Sequence, residues 1–164
     1  IKNKKKLKYM TFRLGTIAGI SKGMRFHTAI NKFCLNAGLN NKIEVYKTAY
    51  NQYRPYLSLK DLFSTFKYCI EKEIYNNDIY NVLTGNYSVK QIIDKIKKYK
   101  KPVRIKFIKT SIMNKLSYLV SNDKIKKLGI KLTAQINTDI KETLNLLKNK
   151  KLFLKLQRKK LILL

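Results

Sequence analysis

The chain is poor in the residues that most often build reactive centres. It has two cysteines, one histidine, five arginines and nine acidic residues among 164. Cys34 and Cys69 have no Cys or His at metal-ligand spacing, and His27 alone cannot complete a zinc site with them. A structural zinc centre is therefore not expected, and the thiols read as buried and reduced, in keeping with a cytoplasmic protein. No apolar run approaches the roughly 18 residues that a membrane span needs. The basic opening, residues 1–6, is not followed by the apolar core of a secretory signal. The first residue is Ile1, which suggests a processed or truncated piece. No internal repeat and no disordered linker interrupts the pattern.

What is abundant is lysine. Lys and Arg total 37, and the formal net charge is +28. Such a charge points toward nucleic acid or an anionic surface, and a basic RNA-binding protein of ribosomal type is the competing reading. Tyrosine stacking on bases would be its mechanism. Two features argue against it. The lysines are spread along the whole chain, from Lys2 to Lys160, and Lys, Ile, Asn and Tyr are enriched together, as an AT-rich coding sequence would produce. Nucleic acid is accordingly not the expected partner.

A hydrophobic content of 45% over this length suits one globular core. Residues 8–17 read as a buried strand with Met10, Phe12 and Leu14 inward, and Gly15 and Gly19 mark its exit loop. Residues 25–37 have helical spacing through Phe26, Ile30, Phe33 and Cys34, with Gly38 as the stop. Short strands follow at 43–46 and 54–59. Ser58 is placed to cap a helix with Asp61 near its positive end and an apolar stripe of Leu62, Phe63, Phe66, Cys69 and Ile70. Residues 79–83 form the next strand, closed by a turn at 84–86. Ser88 and Gln91 then make a capping box ahead of Val89, Ile92, Ile93 and Ile96. Pro102 ends that unit before a strand at 103–108. Residues 116–120 are ambiguous. A short helix at 122–128 stops at Gly129, and a last helix opens at Thr138. Strands alternate with helices, which argues an α/β fold. Residues 1–147 read as one unit, and 148–164 as a Lys/Leu-rich tail.

One segment stands apart from the lysine background: Tyr50-Asn-Gln-Tyr-Arg-Pro-Tyr-Leu-Ser-Leu-Lys-Asp61. Arg54 lies there among tyrosines, beside a proline and ahead of a strand and a helix start. A guanidinium grips phosphate with two parallel hydrogen bonds, which an ammonium cannot do. A rare Arg in such a setting reads as a phosphate contact rather than as surface filler.

This segment, with three others in order, resembles the nucleotide-sugar epimerases and dehydratases, which are extended short-chain dehydrogenase/reductases. Arg13-Leu-Gly-Thr-Ile-Ala-Gly19 is similar to their last Rossmann strand and the loop after it. Tyr53-Arg-Pro-Tyr-Leu-Ser-Leu-Lys-Asp61 is similar to their Arg-aromatic-strand-Asp motif. Tyr80-Asn-Val-Leu-Thr-Gly85 followed by Ser88-Val-Lys-Gln-Ile-Ile93, and Ser121-Asn-Asp-Lys-Ile-Lys-Lys-Leu-Gly129, resemble two later motifs. The likeness runs from about Tyr9 to Leu147. It implies the last strand or strands of a Rossmann-type sheet plus the small C-terminal substrate-binding α/β lobe.

The resemblance further implies that Arg54 grips the diphosphate of a nucleotide sugar. Thr16 and Asn31 would stand near sugar and nucleotide, Tyr53 and Gln52 would line the pocket, and Arg25 would meet phosphate. His27 reads as a bystander, Asp61 as a helix cap, and Tyr80 and Asn81 as structural. NAD is the cofactor implied for the whole enzyme. Its Gly-x-x-Gly-x-x-Gly loop is not present, and no Tyr-x-x-x-Lys pair stands ahead of Arg13. No catalytic acid or base is therefore named. The resemblance implies a missing N-terminal Rossmann portion that carries NAD and catalysis, and a homodimer in the whole enzyme.

Overall fold

The computed structural model describes residues 8–109 and 117–149. The chain folds as α/β, with seven short strands and five α-helices among the described residues. Strand β1 (Met10–Leu14) pairs in parallel with β5 (Asp78–Val82). Strand β2 (Thr16–Ala18) pairs in parallel with β4 (Tyr53–Ser58), which pairs antiparallel with β6 (Gly85–Ser88). Strand β3 (Ile43–Tyr46) pairs in parallel with β7 (Ile105–Ile108).

The single strand expected over residues 8–17 is two strands. The chain leaves β5 and joins β4 at Gly15, whose N–H donates to the Val82 carbonyl at 2.9 Å. A Cβ at Gly15 would lie 3.1 Å from the Tyr56 carbonyl carbon and 3.2 Å from Pro55. The glycine therefore permits one backbone to pass close to another. Leu14, expected inward, is exposed beside this break.

Helix α1 (Ala29–Gly38) starts later than its apolar spacing suggested, after Thr28. Phe26 packs against the core from the preceding loop. Ile30, Phe33, Cys34 and Ala37 form the buried face as expected. Gly38 does not act as the stop. It is the last helical residue, and a Cβ there would lie 2.9 Å from Leu147 Cδ1. Its role is to let α1 approach α5 (Ile136–Lys148). Asn40, with φ of 58°, reverses the chain instead.

Helix α2 (Leu59–Glu71) is capped by Ser58, whose hydroxyl accepts from the Lys60 N–H. Its apolar stripe is only partly used. Leu62 and Cys69 are buried, whereas Phe63, Phe66 and Ile70 are exposed, Phe63 at 68%. Phe66 meets Phe12 of β1 edge-on, with ring centroids 5.2 Å apart. The capping box expected at α3 (Val89–Lys97) is present, with both Ser88 and Gln91 hydrogen bonds formed. Gly85 and Asn86, expected as a turn, begin β6. The short helix α4 (Asp123–Lys126) ends ahead of Gly129, where φ is +88°. The Lys101–Pro102 peptide is cis. Of the expected tail at 148–164, residues 150–164 lie outside the described residues.

Two cores result. One joins Ala18, Tyr56 and β3 to α1, α3 and α5. The other joins Leu57, Tyr80 and Val82 to α2 and α4. Strand β4 separates them, because Tyr56 and Leu57 point to opposite faces.

Candidate functional site

Arg54 stands at the start of β4, and its guanidinium is held by local geometry. Nη1 donates to the Tyr53 carbonyl at 2.7 Å, and Nη2 donates to Gln52 Oε1 at 3.0 Å. The Tyr118 ring lies against it, 5.0 Å from Cζ to the centroid. Three of the sequence-predicted residues, Gln52, Tyr53 and Arg54, are thus in direct contact. Gln52 and Tyr53 serve by holding the fork, Gln52 through its side-chain amide and Tyr53 through its backbone carbonyl.

Thr16 lies on the neighbouring strand. It is in register with Tyr56, two residues along β4 from Arg54. Because alternate strand residues share a face, Thr16, Tyr56 and Arg54 project to the same side of the sheet. Tyr56 is 1% exposed, and burial pushes its phenol up to about 12 against the pull of the Arg54 charge. Helix α1 packs on that side and carries Asn31, which is buried. Asn31 Nδ2 donates to the Arg25 carbonyl at 3.0 Å, while its Oδ1 meets no donor among the described residues. The Arg25 side chain is exposed, and the contact made to Asn31 and Thr28 is through its backbone carbonyl. No contact joins Asn31 or Arg25 to Arg54 in the described hydrogen-bond network.

Asp61 does more than sit at the positive end of α2. Its Oδ1 accepts from the Thr133 and Ala134 N–H groups, each at 2.9 Å, and its Oδ2 accepts from the Thr84 hydroxyl at 2.6 Å. Thr84 Oγ1 in turn accepts from the Ser58 N–H. One buried carboxylate therefore ties α2 to the loop after β5 and to the segment before α5. A second buried carboxylate, Asp139 of α5, was not foreseen. It receives the Ser58 hydroxyl on Oδ1 at 3.1 Å, and its Oδ2 meets no donor among the described residues. Burial pushes Asp139 up to about 6; Ser58 and Lys60 pull it down, and Glu142 and Asp61 push it up. Its place in the first turn of a helix reads in sequence as a solvent-facing dipole partner. The packing of α5 on β4 is what buries it.

Tyr118 and Asn86 were also missed. Tyr118 falls in the ambiguous stretch, and Asn86 read as a turn residue. The Asn86 side chain makes a two-point contact with Val120, Nδ2 to O at 2.9 Å and N to Oδ1 at 3.1 Å. The only available hint was the Gly-Asn pair following a strand.

Tyr-x-x-x-Lys spacing does occur twice downstream of Arg13, at Tyr56/Lys60 and Tyr68/Lys72. Tyr56 is buried in the core, whereas Lys60 is exposed and paired with Glu142 at 2.8 Å. The Tyr68 hydroxyl donates to the Leu128 carbonyl. Among the described residues no three His, Cys, Asp or Glu side chains gather as metal ligands, and no helix is long and apolar enough to cross a membrane. What the arrangement offers is a guanidinium oriented by the Tyr53 carbonyl, the Gln52 amide oxygen and the Tyr118 ring, a group whose planar fork can make two parallel hydrogen bonds to an oxyanion.

No protein-family profile matches the sequence. Solved structures do resemble the fold. UDP-glucose 4-epimerase of Thermus thermophilus, solved with NAD, aligns over 87% of this chain and 47% of its own, with TM-score 0.72 and 15% identity. UDP-glucuronic acid 4-epimerase of Bacillus cereus, solved with UDP-glucuronic acid and NAD, aligns over 85% and 45%, with TM-score 0.70 and 16% identity. The dTDP-glucose 4,6-dehydratase of Bacillus anthracis, solved with NAD, aligns over 87% and 45%, with TM-score 0.67 and 18% identity. The chain therefore has the α/β fold of about half of a nucleotide-sugar epimerase or dehydratase.

Proposed function

We propose that the chain is the substrate-binding portion of an NAD-dependent nucleotide-sugar epimerase or dehydratase, and that Arg54 grips the diphosphate of the bound nucleotide sugar. The observation that carries this reading is the Arg54 fork, held at the head of β4 by Tyr53, Gln52 and Tyr118, in a fold otherwise seen in enzymes solved with UDP-sugar or NAD. Thr16 and Asn31 stand on the Arg54 side of the sheet and would contact sugar and nucleotide, with Arg25 at the rim.

NAD, which supplies reversible hydride exchange when bound, does not fit the residues of this chain. Gly15, Gly19 and Gly23 recur at four-residue intervals, and α1 opens after Thr28 without a glycine turn for a pyrophosphate. The cofactor and the catalytic pair would belong to a further Rossmann portion. Two observations support such a portion. Among the described residues β1 pairs only with β5, and parallel sheets are normally extended and covered on both faces. Leu14 of β1, Ile17 of β2 and Phe63, Phe66 and Ile70 of α2 are also exposed.

The test is calorimetric titration of UDP into the chain at about 0.15 M salt, where surface charge is screened. Arg54→Ala should weaken binding about 100-fold, and Arg54→Lys nearly as much, because a point charge loses the fork. Binding that falls steeply with salt and ignores Arg54 would instead favour the RNA reading.

A further inference from the structure

Residues 117–122 run past the head of β4 and belong to neither a helix nor a strand. They are nevertheless lashed down along their length. The Ser117 hydroxyl accepts from the Tyr53 N–H at 2.9 Å, and the Tyr118 N–H points at the Tyr53 carbonyl at 3.5 Å. Asn86 closes its two-point contact with Val120, much as a neighbouring strand would. Asn122 Nδ2 reaches the Leu83 carbonyl at 2.7 Å. The Tyr53 carbonyl thus takes both the Arg54 guanidinium and the strap. Tyr118 is 45% exposed, yet its ring is turned onto the guanidinium.

A half-exposed tyrosine on a loose loop would lose much of a stacking gain to the entropy of ordering it. Here the backbone is ordered independently, by Asn86 and Asn122. The ring is delivered to Arg54 already placed, and preorganisation of this kind raises affinity by removing the cost of ordering.

We infer that Tyr118 is a positioning residue for Arg54: pinned by Asn86 through the 117–122 strap, its ring fixes the plane of the guanidinium so that the fork meets a diphosphate edge-on. This rests on the proposed role of Arg54 as the diphosphate contact. Two parallel hydrogen bonds to phosphate require that plane to be set, whereas a single ionic contact does not. The strap therefore acts on geometry rather than on charge.

The experiment is titration of UDP into the full chain, with wild type, Arg54→Ala, Tyr118→Ala, Tyr118→Phe and Asn86→Ala compared at one salt concentration. Circular dichroism melts establish that each variant is folded. Tyr118→Ala should weaken UDP about three- to fivefold, the scale of one partly exposed cation–π contact. Tyr118→Phe, which keeps the ring, should restore wild-type affinity. Asn86→Ala should reproduce the Tyr118→Ala loss, and the Tyr118→Ala/Asn86→Ala double variant should lose little more than either alone. If Arg54→Ala weakens binding while Tyr118→Ala does not, the positioning role is wrong and the diphosphate reading stands. If Tyr118→Phe binds as poorly as Tyr118→Ala, the hydroxyl and not the ring is used, and the inference fails. If wild type does not bind UDP, or Arg54→Ala binds as well as wild type, the diphosphate reading falls and takes this inference with it.

Discussion

Replacing Asp139 by asparagine should make the protein more stable at neutral pH and leave it unchanged in acid. Asp139 is almost fully buried, holds one hydrogen bond from Ser58, and has a second oxygen without a donor among the described residues. Burial raises it from its ordinary 3.8 to about 6. The folded chain therefore keeps a proton that the unfolded chain releases between about pH 4 and pH 6. Over that window the unfolded state binds fewer protons, so stability falls as pH rises and then stays level above it. The full penalty is about 3 kcal/mol from a shift of roughly two units at 1.36 kcal/mol each, and relaxation of the site would reduce it to about 2 kcal/mol. The amide introduced by Asp139→Asn would keep an oxygen for the Ser58 hydroxyl and carry no charge to desolvate. Urea unfolding of both proteins at pH 4, 5, 6 and 7.5 reads the difference. The expected curve starts near zero at pH 4 and reaches about 2 kcal/mol in favour of Asp139→Asn by pH 7.5. A difference that does not change with pH, or an Asp139→Asn variant that is weaker at pH 7.5, would refute the reasoning.

Four further substitutions test the packing. Asp61→Ala removes the acceptor for two backbone N–H groups and one hydroxyl; it should cost about 3 kcal/mol and speed hydrogen exchange at Thr133 and Ala134, seen by amide NMR. Gly38→Ala forces a Cβ into Leu147 and should cost about 1–3 kcal/mol, less in a Leu147→Ala background by a double-mutant cycle. Phe63→Ser and Ile70→Ser, on the exposed side of α2, should change stability by less than about 0.5 kcal/mol while lowering self-association in analytical ultracentrifugation.

The elements that were legible in the sequence are those specified by local chemistry. The Ser88/Gln91 box states its own hydrogen bonds, and α3 begins where it says. Arg54 could be singled out because arginine is scarce and this one sits in an aromatic, proline-bearing run. What could not be read depends on contacts between distant segments. The break at Gly15 exists because β4 passes beside it, and no local signal distinguishes that from an exit turn. The stripe on α2 has one helical period, yet only Leu62 and Cys69 face a core within the described residues. Periodicity reports that a face is apolar and is silent on what covers it. Tyr118 is the clearest case: its meaning depends on an asparagine more than thirty positions earlier, and amides that imitate strand edges leave no pattern in composition.

The break at Gly15 bears on how the molecule comes apart. Strands β1 and β2 are nearly one extended run, but they serve different sheets and different cores, and β4 is the shared wall. Opening of β1, β5, α2 and α4 can halt at that glycine while the α1–α3–α5 layer remains closed. Native-state hydrogen exchange should accordingly resolve two cooperative units. The amides of β5 should exchange with those of β1, apart from those of the α1–α3–α5 layer. Arg54 lies on their common border, so the head of β4 keeps its shape only while both units are closed.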